Sequence, residues 1–171
     1  MPGWGNGTHT RAILFVPSGK EFSCPNTFSS APAAEAPARG GVMERKRKTP
    51  GKLHPITVEP TPARVVVRAA GRVIADTTSA LTLRESVYPP VQYVPLADVD
   101  PEVLRPSAKQ TYCPYKGEAG YYSIALKRPD TGETEEIADA VWTYEHPYEA
   151  VEAIASHVAF YPDRVEISVE D

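Results

Sequence analysis

The sequence predicts a small, mainly β domain of about seven short strands and one helix, preceded by a long proline-rich segment. From about Arg64 onward, apolar and polar residues alternate with a period of two, which is typical of half-buried strands. Turn-forming glycines and prolines interrupt these runs at short intervals. Only residues 147–157 have the spacing of an amphipathic helix.

Four strands are expected in the first half of this domain. RVVVRAAGRVIAD (64–76) predicts a hairpin of two strands with a glycine at the turn. SALTLRES (79–86) alternates apolar and polar residues and predicts a third strand, with Leu81 and Leu83 on one face. VQYVP (91–95) predicts a short strand that ends at a proline.

The second half is expected to contain three more strands and the helix. DVDPEVL (98–104) predicts a helical turn in which Asp100 is the N-cap and a proline occupies the first helical position. The strands are predicted in GYYSIAL (120–126), EEIADAVWTYE (135–145) and FYPDRVEISVE (160–170). PYEAVEAIASH (147–157) predicts the helix, because its apolar residues form one stripe.

Residues 1–62 differ in composition from the rest of the chain. They contain 9 of the 18 prolines and a low-complexity stretch, APAAEAPARGG (31–41). Such a composition buries too little apolar surface to offset chain entropy, so we expect a disordered tail followed by a domain over 63–171. Met43 suggests a further hypothesis, in which residues 1–42 are a mis-assigned start. A native intact mass that includes residues 1–42 would contradict it.

Charge divides the chain in the same place. Residues 1–62 carry a net charge of +4 and residues 63–171 a net charge of −8. An acidic domain argues against nucleic acid as a partner, because nucleic-acid-binding domains usually present a basic face. The cluster ERKRK (44–48) is typical of a solvated tail, and contact with an anionic partner is the alternative.

The cysteines and apolar runs limit the cellular setting. Cys24 and Cys113 are the two cysteines, which is too few for a disulfide framework or a zinc site. The longest apolar run near the start, AILFV (12–16), is shorter than a secretory or membrane-spanning segment. We therefore expect a soluble cytoplasmic protein without a metal or other cofactor.

Standard catalytic motifs give little support for an enzyme. The sequence has no GxxxxGK[ST] loop, no GxGxxG after a strand and no GxSxG elbow. The pair Asp98 and Asp100 could hold Mg²⁺ for nucleotidyl transfer, but helix capping explains Asp100 more simply. Catalytic residues therefore stay unknown, and whether the protein is an enzyme stays open.

The stretch TYCPYKGEAGYYS (111–123) raises a separate question. CPYK differs in one residue from CPYC, the dithiol motif of glutaredoxins. A redox cysteine of that kind opens a helix, whose N-terminus lowers the thiol pKa, whereas Cys113 is followed by a predicted strand. Lys116 could still stabilise a thiolate, so a reactive thiol and a semi-buried cysteine near a turn both stay open.

Several motifs in a fixed order carry a resemblance to a known family. They are RESVYPPVQYVPLADV (84–99), TYCPYKGEAGYYSI (111–124), AVWTYEHPYEAVEAIASHVAFYPDRVEI (140–167) and the hairpin ending GRVIADTTSAL (71–81). Read together, they resemble the bacterial and fungal family called domain of unknown function 427, over about residues 60–170. The matching polar residues include Glu85, Tyr93, Asp98, Lys116 and Tyr144.

The resemblance implies a β-rich fold, similar in outline to the two-sheet tent of zinc-binding Mss4-like domains. Their paired cysteines are absent from this sequence, so a zinc ion is not carried over. The family's nucleotidyltransferase-like label implies nucleotide transfer as an alternative function.

The candidate ligand-binding residues are Glu85, Tyr93, Cys113, Lys116 and Tyr144. We expect Glu85, Tyr93, Cys113 and Lys116 to converge on a cleft that binds a small polar metabolite or nucleotide, because binding sites often lie at loops and strand ends. The alternative is a structural ion pair between Glu85 and Lys116 that anchors the turn after Cys113. A separation of more than ~10 Å between Glu85 and Lys116 would contradict both hypotheses.

Overall fold

A computed structural model of the chain describes residues 12–13 and 45–170. The described part is mainly β, as the sequence predicts, with one sheet of seven strands curled into a half-barrel and one small sheet. The strands are β1 (Ala12–Ile13), β2 (Ile56–Pro60), β3 (Arg64–Ala69), β4 (Arg72–Thr77), β5 (Leu81–Glu85), β6 (Val91–Pro95), β7 (Leu104–Cys113), β8 (Gly117–Lys127), β9 (Thr134–Thr143), β10 (His157–Phe160) and β11 (Glu166–Glu170). Two short 3-10 helices cover Leu96–Asp98 and Glu149–Ile154.

All strand pairs are antiparallel, and short turns connect four of them: β3 with β4, β5 with β6, β7 with β8 and β8 with β9. The half-barrel has the order β2-β5-β6-β10-β9-β8-β7, and the small sheet has the order β1-β11-β3-β4. The predicted hairpin is confirmed as β3 and β4, joined at Ala70 and Gly71, both with positive φ. The turn thus uses the left-handed backbone that glycine adopts readily.

The half-barrel sheet buries both of its faces, because successive side chains on a strand point to opposite sides. On β6, Val94 packs against the small sheet in a largely aliphatic cluster that includes Val65, Ile74, Ile124 and Val141. The neighbouring Tyr93 points to the opposite face and joins a second cluster rich in aromatic side chains. We call these two groups the aliphatic cluster and the aromatic cluster.

The start of the domain lies earlier than the predicted boundary at residue 62. β2 forms the first strand of the half-barrel and pairs with β5, with Ile56 opposite Glu85. The prediction failed here because prolines flank ITVE and the alternating run is short. The disorder and mis-assigned start predicted for the chain before residue 45 lie outside the described residues, apart from the two-residue β1, which pairs with β11.

Three other elements differ from the sequence prediction. β7 is ten residues long but was not predicted, because its exposed side chains hide the usual apolar alternation. The predicted helix over 147–157 is instead the 3-10 segment Glu149–Ile154, which is kinked at Val151. Its continuation is prevented because β10 begins at His157, where the backbone pairs with β6. β10 therefore begins at His157, the last residue of the predicted helix.

The turn before β7 is also simpler than predicted. Asp100 does accept a backbone N–H, from Glu102 at 2.9 Å, but a hydrogen-bonded turn follows rather than a helix. Among the described residues, no helix is long and apolar enough to cross a lipid bilayer.

Candidate functional site

An ion pair between Glu85 and Lys116 joins distant strands of the half-barrel. Glu85 ends β5, the second strand in sheet order, and Lys116 lies in the turn between β7 and β8, the last two strands. In a flat sheet β5 and β8 would be roughly 19 Å apart, four strand spacings. Lys116 Nζ nevertheless donates directly to Glu85 Oε2, because the sheet curls around the aromatic cluster. The ion pair therefore bridges the open side of the half-barrel.

The bridge is buried and includes a third residue, His54. The side chains of Lys116 and Glu85 are 5% and 9% exposed, and His54 Nε2 lies 2.7 Å from Glu85 Oε1. Burial raises the pKa of the Glu85 carboxyl, but the charge of Lys116 and the hydrogen bonds from Lys116 and His54 outweigh it. The net pKa is lowered, so the carboxylate is ionised at neutral pH.

Backbone geometry fixes Lys116 in its turn. Its N–H donates to the carbonyl of Cys113 at 3.3 Å, and its own carbonyl accepts the N–H of Tyr148 at 3.0 Å. Gly117 follows with a φ of +108°, and a Cβ at this position would lie 3.3 Å from the carbonyl oxygen of His146. Glycine is thus required both by the left-handed backbone and by the close approach of the chain after β9.

The other three predicted site residues lie in the aromatic cluster. Tyr93, Cys113 and Tyr144 are each at most 4% exposed, and they pack there with Leu83 and Tyr121. Leu83 precedes Glu85 by two positions on β5, so the cluster adjoins the ion pair. The structure therefore brings the five predicted residues into one region, and their role in ligand binding stays a prediction.

Three aromatic residues that pack against the aromatic cluster are only partly buried, and we call them the rim: Tyr115, Trp142 and Tyr161. The rings of Trp142 and Tyr161 are 4.7 Å apart at a tilt of 53°, and Trp142 Nε1 donates to the Tyr93 hydroxyl at 3.3 Å. Tyr115 stacks on His54 with ring centres 4.1 Å apart. Tyr115 therefore lies at the His54 end of the ion pair, and Trp142 joins Tyr161 to the buried Tyr93.

The tyrosine hydroxyls on this face are also linked to each other. Tyr121 bonds Thr111 at 2.9 Å, and burial together with a hydrogen bond to Tyr121 raises the pKa of Tyr161. The Tyr161 hydroxyl is therefore neutral at physiological pH and can both donate and accept a hydrogen bond.

The basic segment 45–48 packs on this end of the domain. Arg47 lies over the ring of Tyr148 at 4.3 Å, and Lys48 N–H donates to the carbonyl of Pro114 at 2.9 Å. Arg45 and Lys48 likewise face the rings of Tyr112 and Tyr115. The sequence favoured a solvated tail here. The side chains are exposed, but cation–π contacts hold them against the β7–β8 turn.

A comparison with protein families gives a match over most of the β domain. A family model described as "Domain of unknown function (DUF427)" matches residues 57–171, more than half of the chain. The chain belongs to the DUF427 family. The match begins within β2, in agreement with the earlier domain start. The search among curated proteins gave no match.

Membership of DUF427 confirms the resemblance but supplies no reaction. The two carboxylates considered for Mg²⁺ have separate partners, since Asp98 accepts from Thr77 at 2.6 Å and Asp100 pairs with Arg72 at 2.6 Å. Among the described residues, no group of three or more His, Cys, Asp or Glu side chains could hold a metal ion. The nucleotidyltransferase alternative is therefore unsupported.

Sequence reasoning missed the contribution of His54, Trp142 and Tyr161 to this region. His54 falls within the segment 1–62 that the sequence predicts to be disordered, and neither Trp142 nor Tyr161 is among the candidate ligand-binding residues. A usable signal was present, because Trp142 and Tyr161 both lie within the motifs that carry the family resemblance.

Proposed function

We propose that this DUF427 domain is a binding module, without catalysis, for a small polar ligand. The site we propose is the rim of the aromatic cluster beside the Glu85–Lys116 ion pair. The observation that carries the proposal is the partial exposure of Tyr115, Trp142 and Tyr161 over the aromatic cluster, which adjoins the buried Glu85–Lys116 ion pair. Partly exposed aromatic rings supply stacking surface for a ligand with a planar group.

Each predicted residue has a defined part in this proposal. Glu85 and Lys116 hold the two sides of the half-barrel together, and both Glu85 oxygens already have protein partners. The pair therefore shapes the site and orients His54. Tyr93, Cys113 and Tyr144 form its floor, and the tyrosine hydroxyls supply polar contacts.

The cellular setting we propose is cytoplasmic. Cys113, the cysteine among the described residues, is a buried free thiol, as is common in a reducing compartment.

The test is a thermal-shift screen of the full chain against small polar metabolites and against nucleotides with Mg²⁺. A ligand that binds the folded state raises the melting temperature by an amount that follows RT ln(1 + [L]/Kd). The matched variants are Tyr161→Ala on the rim and Tyr122→Ala on the aliphatic face of the same sheet. We expect the ligand-dependent shift to be lost in Tyr161→Ala and kept in Tyr122→Ala, each measured from its own ligand-free baseline.

Two outcomes would overturn the proposal. The first is a screen in which no compound produces a saturable shift, and the second is an equal loss in both variants. A nucleotide that binds and is also converted to product would favour the transferase alternative over a binding module.

A further inference from the structure

A cavity lies at the end of the β7–β8 hairpin that is distant from Lys116. It has a volume of about 360 Å³, within the range of small-molecule sites. Three cationic side chains line it, and each comes from a different strand: Arg72 from β4, Arg105 from β7 and Lys127 from β8. Since β7 rises about 3.3 Å per residue, this cavity is roughly 30 Å from the β7–β8 turn and independent of the site proposed above.

The two guanidinium groups are held in place by the protein. Arg105 Nη1 donates to the backbone carbonyls of Glu102 and Leu104, at 2.8 and 2.9 Å. Its remaining three N–H groups have no hydrogen-bond partner within residues 45–170. Arg72 is oriented by its contact with Asp100. A guanidinium with a fixed plane and unused donors loses little side-chain entropy when it binds an anion.

The positive charge at the cavity is local and differs in sign from the net charge of the domain. Residues 63–171 carry a net charge of −8, so a cavity with three cations is not a consequence of a basic surface. Lys127 and Glu102 have no ion-pair partner among the residues that the structure describes. Within residues 45–170, Glu102 is the acidic residue that lines the cavity, and it would oppose an anion bound there.

We propose that this cavity binds a small anion through a phosphate or carboxylate group, with Arg105 as its principal donor. Lys127 adds a further positive charge to the lining, and Thr134 lines the same space. Arg105 can present two parallel N–H groups to such an oxyanion, which is the strongest arrangement for this kind of contact.

The test is isothermal titration of the full chain with inorganic phosphate in one arm and citrate in the other. Ionic strength is held constant with NaCl so that general screening does not change. Saturable binding in one arm identifies the oxyanion that the cavity prefers. We expect Arg105→Gln to weaken that binding about tenfold or more, because it removes a charge-assisted hydrogen bond.

Two further variants separate this cavity from general charge effects. Glu102→Gln is expected to tighten the binding roughly twofold, because it removes a repulsive charge. Arg128→Gln is the matched control, because Arg128 pairs with Glu135 and does not line the cavity. Its affinity should equal that of the wild type. The proposal is overturned if neither anion binds saturably, if Arg105→Gln and Arg128→Gln lose affinity alike, or if Glu102→Gln weakens binding.

Discussion

The two faces of the half-barrel sheet are both buried, but by different means. The face toward the small sheet packs Val, Ala and Ile side chains, with Phe160 as its large aromatic residue. The opposite face packs Tyr93, Tyr121 and Tyr144 and adjoins a buried ion pair. Aliphatic groups need only close contact, whereas every buried hydroxyl, carboxylate and ammonium also needs a partner.

Within one sheet, the aliphatic face therefore contributes to stability by packing, whereas the aromatic face carries the candidate site. Substitutions on the aliphatic face should cost free energy in proportion to the volume removed. Substitutions on the aromatic face should cost more than their volume predicts, because they leave a partner buried and unpaired. Each prediction below tests a part of that contrast by the free energy of unfolding in urea.

The largest effect is expected from Lys116→Met. This change leaves the Glu85 carboxylate buried beside His54 without its cationic partner, and breaking a buried pair in this way costs about 3–5 kcal/mol. Ile124→Val on the aliphatic face is the control and should cost only about 0.5–1.5 kcal/mol. Equal costs for the two variants would mean that the faces do not differ as proposed.

The next effect is expected from Gly117→Ala, which tests the turn that carries Lys116. A side chain at a φ of +108° is strained, and the new Cβ would press on the carbonyl of His146, at a cost of about 1–3 kcal/mol. Gly120→Ala on the same strand is the control, because its Cβ would meet only Thr143 at 4.0 Å. A loss no greater in Gly117→Ala than in Gly120→Ala would contradict the role of this glycine.

The same contrast explains what the sequence could predict. The alternating runs of β3 to β6 and of β8 were predictable because one or both faces of these strands bury aliphatic side chains. β7 was not, since it pairs with β8 through its backbone while presenting Arg105, Gln110 and other exposed side chains. β2 forms a strand because it pairs with β5, and the local sequence pattern does not reveal this long-range pairing.

The candidate site was predictable in part for the same reason. Glu85 and Lys116 could be paired as a hypothesis because both lie in the family motifs, Glu85 at the end of a predicted strand and Lys116 in a predicted turn. Their partner His54 could not, because its position depends on β2 joining the sheet. The cavity lined by Arg72, Arg105 and Lys127 was not predicted either, since its lining residues come from four separate strands.

Acid should weaken the ion pair without a substitution. The folded-state pKa of Glu85 is lowered, so its contribution is present above the unfolded value of about 4.3 and is lost as pH falls through the folded value. We therefore expect the stability difference between wild type and Glu85→Gln to shrink as pH falls below about 4.3. The loss should be smaller than for Lys116→Met, because a protonated carboxyl keeps hydrogen-bonding capacity. A difference that is constant or grows in that range would contradict the lowered pKa.

The smallest effect is expected where the aromatic face meets solvent, at the basic segment 45–48. Arg47→Ala removes the cation that lies 4.3 Å from the centre of the Tyr148 ring, and exposed cation–π contacts contribute about 0.5–1 kcal/mol. Lys46→Ala is the matched control, since it removes the same charge one position earlier, where no ring contact is formed among the described residues. A measurable loss in Arg47→Ala alone would show that ring contact, rather than net charge, holds this segment on the domain. Equal losses would mean that the net charge of the segment, rather than ring contact, determines its contribution.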